Sequence, residues 1–136
     1  MASGNFVLDK GYDAGGAIAK FHAVKYSGTA EEVVPVSSGD DNIAGFAQFE
    51  VTTPEIGQGK GASVRLLGIT EAVAAGAIDV GDQCQLESDG RVSAAVAASG
   101  KRVVGKCVGN AASTAGDRIS LLIDPVGDLA VTGVTS

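Results

Sequence analysis

Two cysteines, one histidine and several paired aspartates are the side chains here with chemistry to offer, and their surroundings decide whether they can use it. Cys84 and Cys107 lie in apolar, alternating stretches with no histidine beside either. A zinc site needs more ligands than these, and a nucleophilic thiol needs a base or a cation to draw off its proton. Both therefore read as buried free thiols of a cytosol-made protein, not as a disulfide. His22 stands on an expected strand between Phe21 and Ala23, without the positioned partner that general-base work requires. Asp40 with Asp41, Asp79 with Asp82, and Asp124 with Asp128 lack the alternating oxygen ligands and distal glutamate of a calcium loop. Aspartate beside glycine is ordinary turn chemistry, its carboxylate accepting from nearby backbone N–H groups.

The run Gly57-Gln58-Gly59-Lys60-Gly61 superficially resembles a phosphate-cradling loop. A P-loop needs Ser or Thr after its lysine, with a strand before and a helix after. Here glycine follows the lysine and an expected strand follows the loop, so a hairpin connection is the better reading. No serine lies in a G-x-S-x-G elbow, and no two carboxylates are spaced so as to single out a glycosidase pair. The expectation is a chain with no catalytic residue, no cofactor and no metal. A hydrolase built on Asp and Glu stays as a rival, to be supported only by an activity that a single carboxylate replacement abolishes.

The elements that carry these residues are short and β-like. At 136 residues the chain makes one domain, burying about two-thirds of its unfolded surface. Its hydrophobic fraction of 45% is mostly Ala and Val, with four Phe, two Tyr and no Trp. Small side chains build a thin core with little excess stability, which favours an oligomer. Twenty Gly against three Pro, spaced at expected strand ends, fit frequent tight turns. A net charge of −6 leaves no cationic stripe to displace counterions, which argues against direct nucleic-acid binding. No apolar window of about 18 residues exists to span a membrane, and the first residues lack the pattern of a secretory signal.

Along the chain, residues 1–16 read as an extended, glycine-rich N-terminal arm whose apolar cluster is Phe6-Val7-Leu8. Residues 17–26 read as one strand, with Phe21 on one face and Ile18, Val24 and Tyr26 on the other. Pro35 confines its strand to an edge or keeps it short. Thr52 to Gly61 is a loop mobile by composition. Gln83 to Leu86 alternates strictly, and Asp89-Gly90 makes a tight hairpin turn. Ala94 to Ser99 has the makings of a helical turn, and residues 126–136 read as a C-terminal tail.

A faint duplication organises the rest. Ile43-Ala44-Gly45-Phe46-Ala47 is echoed by Val103-Val104-Gly105-Lys106-Cys107, sixty positions later. Gly61 to Leu67 is then echoed by Gly116 to Leu122, at an offset of fifty-five, which makes the first intervening loop five residues longer. Two copies are too few for a solenoid. The expected fold is a mainly β barrel or sandwich of two similar units, about 17–75 and 76–125, with little helix.

The ordered series Asp41-Asn42-Ile43-Ala44-Gly45-Phe46-Ala47, Val64 to Ile69, Gly76 to Asp82, Asp89-Gly90-Arg91-Val92, Val103-Val104-Gly105 and Gly116-Asp117-Arg118-Ile119 resembles the capsid cement, or head decoration, proteins of tailed bacteriophages. The likeness spans roughly residues 15–125. It implies a β-rich domain on the outside of an expanded phage head, made in the host cytoplasm. It also implies a homotrimer whose partner is the major capsid protein and which stabilises the shell against internal DNA pressure. The family supplies no catalytic residues to carry over. The chain's own features nominate Phe6, Val7 and Leu8 in the arm, then Ile56, Gln58 and Lys60 in the long loop, as partner-binding residues. A carbohydrate- or ligand-binding β-module of a virion or cell surface is the alternative, and it predicts a concave site with aromatic platforms.

Overall fold

The computed structural model describes residues 6–124. Its first five strands are β1 (Leu8–Ala14), β2 (Ala23–Tyr26), β3 (Glu32–Pro35), β4 (Ile43–Ala47) and β5 (Ala62–Leu67). The next five are β6 (Ile69–Val73), β7 (Gln83–Leu86), β8 (Val92–Ala94), β9 (Val103–Cys107) and β10 (Arg118–Ile123). One helical turn, α1 (Thr53–Gly57), stands before β5. The chain is mainly β, as expected from its patterning.

The first five strands close a barrel in the order β1-β3-β2-β4-β5. β1 returns antiparallel along β5 and meets β3 in parallel at Asp13–Glu32 and Ala14–Val33. The second five follow the same path, β6-β10-β9-β7-β8, and a single parallel bridge from Ala74 to Val92 stands where Ala14 meets Val33. Even the irregularities coincide. β2 pairs with β4 through Ala23–Phe46 and Val24–Gly45, with a bulge after Val24. β7 pairs with β9 through Gln83–Lys106 and Cys84–Gly105, with a bulge after Cys84. A Cβ at Gly45 would run into the Arg65 carbonyl oxygen, and one at Gly105 into that of Leu122. Glycine is thus required at both positions by the close approach of the next strand.

Pairing corrects the extent and register of the repeat. Phe46 faces Arg65 and Lys106 faces Leu122, so β5 and β10 are offset by 57 residues, not 55, and the first loop is three residues longer. The slip is two residues and leaves every side chain on its own face: buried Val64 answers Leu121, and Ala62 answers Ile119. The units run from β1 to β5 and from β6 to β10, joined at Gly68, so β6 belongs to the second unit and not to a first unit of residues 17–75.

The arm also shortens. Residues 8–14 are β1, with Tyr12 and Ala14 turned into the barrel. Glycine content misleads here, because Gly11 sits mid-strand in open space. Nor is 17–26 one strand. Ala17 to His22 turns about the isolated bridge Ile18–Val51, Phe21 adopts φ +59°, and Ile18 and Phe21 are both buried. Beyond Ala94 the chain is held by Gln85, whose Oε1 accepts from the Val96 N–H and the Ser99 hydroxyl, and 94–99 forms no helix. The expected tail, 126–136, lies outside the described residues.

A five-stranded barrel is narrow, which explains the Ala- and Val-rich composition. Unit one is filled by Tyr12, Ile18, Val24, Val33, Val51 and Val64 with three alanines. Unit two is filled by Ile78, Leu86, Val92, Val104, Ile119, Leu121 and Ile123 with smaller residues. Ala23, Val36 and Phe46 of unit one join the second core, so the units share a wall.

Candidate interaction surface

Phe6, Val7 and Leu8 are exposed, Phe6 by 88%. β1 begins at Leu8, which pairs with Leu67, and the backbone of Phe6 and Val7 lies against Gly68. Leu122 pairs with Ile69 on the other side of that glycine. Leu67 and Leu122 are themselves exposed, so the arm residues belong to an apolar patch around the inter-unit joint. Scattered exposed apolar residues are ordinary, but a contiguous set marks a contact surface.

Ile56, Gln58 and Lys60 lie elsewhere. They belong to α1 and its exit, which are ordered locally by a capping box. The Glu55 N–H meets the Thr52 hydroxyl, and Glu55 Oε1 accepts from the Thr52 N–H at 2.9 Å. Pro54 suits the first turn, where its missing N–H has no helical partner to lose. Ile56 leans on the unit-one core. Gln58 caps the C-terminus through its backbone N–H. Lys60 Nζ lies 2.9 Å from Glu55 and 5.1 Å from the Phe49 ring centroid. The segment read as a mobile loop is therefore a capped turn. It enters β5 at one end while the arm patch sits at the other, roughly 20 Å away along six residues. The structure does not bring the two nominated groups together.

The chemistry-bearing residues have structural occupations. Burial pushes the Cys84 thiol up to about 12, and burial raises that of Cys107 as well. Neither is poised as a nucleophile. His22 Nδ1 lies 2.9 Å from the Lys20 carbonyl. Asp41 accepts from the Ser37 and Ser38 amides and pairs with Lys25 at 3.2 Å. Burial pulls its pKa upward, and these contacts outweigh that pull. Asp82 accepts from the Asp79 N–H, and Asp117 from the Ser113 and Thr114 N–H groups. Among the described residues no three His, Cys, Asp or Glu side chains gather as a metal site, and no helix is long and apolar enough to cross a membrane.

Two shallow depressions escaped the sequence reading. One, of about 370 Å³, is lined by Tyr12, Asp13, Glu31, Phe49 and neighbouring β5 residues. Burial, then the Tyr26 hydroxyl 3.2 Å away, push the Tyr12 phenol up to about 12. The other, of about 330 Å³, is lined by Gln83, Val103, Lys106, Leu122 and Asp124 among others. A fuller alignment of the repeat was the available signal: Gly16-Ala17-Ile18 and Gly76-Ala77-Ile78 already mark equivalent turns.

No family model and no curated protein matches the sequence. Among solved structures the chain is similar to the N-terminal base of the head fiber protein gp8.5 of bacteriophage phi29. Identity is 18% and the TM-score 0.65, over 90% of this chain and 98% of that one. At that identity the likeness shows the fold alone.

Proposed function

We propose that this protein is a non-enzymatic structural component of a phage head, a decoration protein that sits on the outer surface of the expanded shell. The observation that carries the reading is the extent of the structural likeness: the match to a head fiber base covers 90% of this chain and 98% of that one, more than either unit alone could supply. The ordered strand-and-turn motifs resembling cement proteins point the same way, and so does the structural employment of every cysteine and aspartate described above. The protein works as a homotrimer on the major capsid protein. Three weak, equivalent contacts across a capsomer junction become intramolecular once one has formed, raising affinity by ~10²–10⁴-fold. The exposed patch of Phe6, Val7 and Leu8 with Leu67 is the surface that meets the shell.

The test is co-sedimentation with emptied, expanded shells, monitored together with light scattering of the free protein. A trimer that pellets with shells, and whose Phe6→Asp variant pellets at least about ten-fold more weakly, supports the reading. A folded protein that ignores shells ends it. Removing residues 1–12 is not a clean probe, because it takes out most of β1. The ligand-binding alternative has weaker support, since the depressions are shallow and one offers only Tyr12 and Phe49 as aromatic walls.

A further inference from the structure

The two units of one chain meet through unlike faces, and among the described residues the second copy of each face is uncovered. Unit one contributes Ala23, Phe46 and Arg65. The Ala23 N–H donates to the Gly90 carbonyl at 2.9 Å, Phe46 is fully buried in the second core, and Arg65 Nη1 donates to the Ile69 carbonyl at 3.0 Å. Strand register carries these three positions to Gln83, Lys106 and Leu122, and all three line the open depression on unit two. Unit two receives unit one with Gly90 and with Arg118, whose guanidinium lies 4.9 Å from the Phe21 ring centroid. Their counterparts in unit one are Glu31 and Gly61, and both line the open depression there. Each depression is therefore the free copy of one side of a contact the fold already makes.

The free faces are complementary. Lys106 is exposed beside exposed Leu122 and partly exposed Val103, while Asp13 and Glu31 stand with Tyr12 and Phe49 on the other. Glu31 also holds φ +60°, where Gly90 has φ +90°. A bulky residue in the left-handed region is strained, and such strain collects at functional positions.

We infer that the occupant of both depressions is a second copy of this chain, unit two of one copy seated on unit one of the next, with Lys106 against Glu31 and Asp13. This deepens the proposed function, resting on its reading of the protein as an oligomer. A contact between unlike faces closes into a ring when its rotation divides a full turn and otherwise grows a filament. Three chains closing this way set six similar units around one axis.

The test uses the full chain without shells. Ala23 and Gly90 are within hydrogen-bond reach of one another, so a chain carrying both Gln83→Cys and Glu31→Cys should oxidise to covalent oligomers that stop at a fixed size on a non-reducing gel. Each single variant should stay uncross-linked. Lys106→Glu should weaken association about ten-fold, and adding Glu31→Lys should recover it. Cross-linking of the Gln83→Cys chain to itself, or an oligomer by light scattering that the double variant never cross-links, overturns the inference, as does a monomer at every concentration. Head-to-tail oligomers that ignore shells would sink the proposed function alone. Shell binding by a chain that does not cross-link would sink only this one.

Discussion

Phe46 and Lys106 occupy the same place in the two units, Phe46 pairing with β2 and β5 and Lys106 with β7 and β10 through the same register. Phe46 is fully buried and Lys106 exposed, because among the described residues unit one has a neighbour on that face and unit two does not. The same contrast runs through the turns. Where unit two places Gly81 and Gly90 at positive φ, unit one places Phe21 and Glu31. Phe21 is held between the Lys20 ammonium, 4.8 Å from its ring centroid, and Arg118 at 4.9 Å. Backbone geometry was kept through the duplication while the side chains diverged according to what covers them. The comparison separates residues that make each unit from residues that join the units.

Breaking the joint should give the largest effect. Phe46→Ala removes a buried ring from a core shared by both units, at a cost of about 3–5 kcal/mol. Lys106→Ala should change the stability of the isolated chain by no more than about 0.5 kcal/mol. Equal shifts in the denaturation midpoint of the two variants would show that the units do not share a wall. Next comes the element the units have in common. Gly45→Ala and Gly105→Ala should each cost about 1–3 kcal/mol, since the added methyl meets backbone and not a yielding side chain. Markedly unequal losses would mean that the two closures are not equivalent.

How much of this was legible without coordinates varies by residue. The alternation of Gln83 to Leu86 and the Asp89-Gly90 turn identify their hairpin, and it forms. Gln85, expected to face outward with Gln83 and Glu87, is instead buried where it holds Val96 and Ser99. The echo at Ile43 and Val103 also survives, because bulge and close approach impose the same glycine twice. β1 was hidden by Gly11, whose lack of a side chain reads as loop while costing the strand nothing on an open face. Phe21 concealed the first turn, since nothing in an aromatic residue announces positive φ. The partner surface was half visible. Phe6 to Leu8 stand out as apolar residues near a terminus, whereas Gln83, Lys106 and Glu31 look like any polar surface until the fold lays one unit over the other.

Smaller effects sharpen the contrast at the turns. Glu31→Gly should relieve left-handed strain worth about 1 kcal/mol, while losing an exposed pair with Lys10 that contributes little. The gain would appear as a raised midpoint, and no gain would mean that the turn carries no strain to release. Thr52→Ala should cost about 1 kcal/mol by opening the capping box of α1, a device the second unit lacks. If the loss is absent, Lys60 and Glu55 hold that turn by themselves.

The last comparison is chemical. In each unit a carboxylate clamps the turn before the strand that closes the unit, Glu55 before β5 and Asp117 before β10. The Lys60 ammonium and the Thr52 amide and hydroxyl hold Glu55 down to about 2, and the Ser113 and Thr114 amides hold Asp117 below the usual carboxylate range. A carboxyl depressed in the folded state stabilises fully above its unfolded value, and that contribution fades as pH falls toward the folded value. Both turns should therefore hold at neutral pH and loosen on acidification, that of Glu55 between pH 4.5 and about 2. Carboxyl chemical shifts across an acid titration report each group separately. Lys60→Met removes the largest cause of the Glu55 depression and should raise its midpoint while leaving that of Asp117 in place. If both midpoints move together, the two clamps are coupled through the shared wall and the units do not titrate as independent bodies.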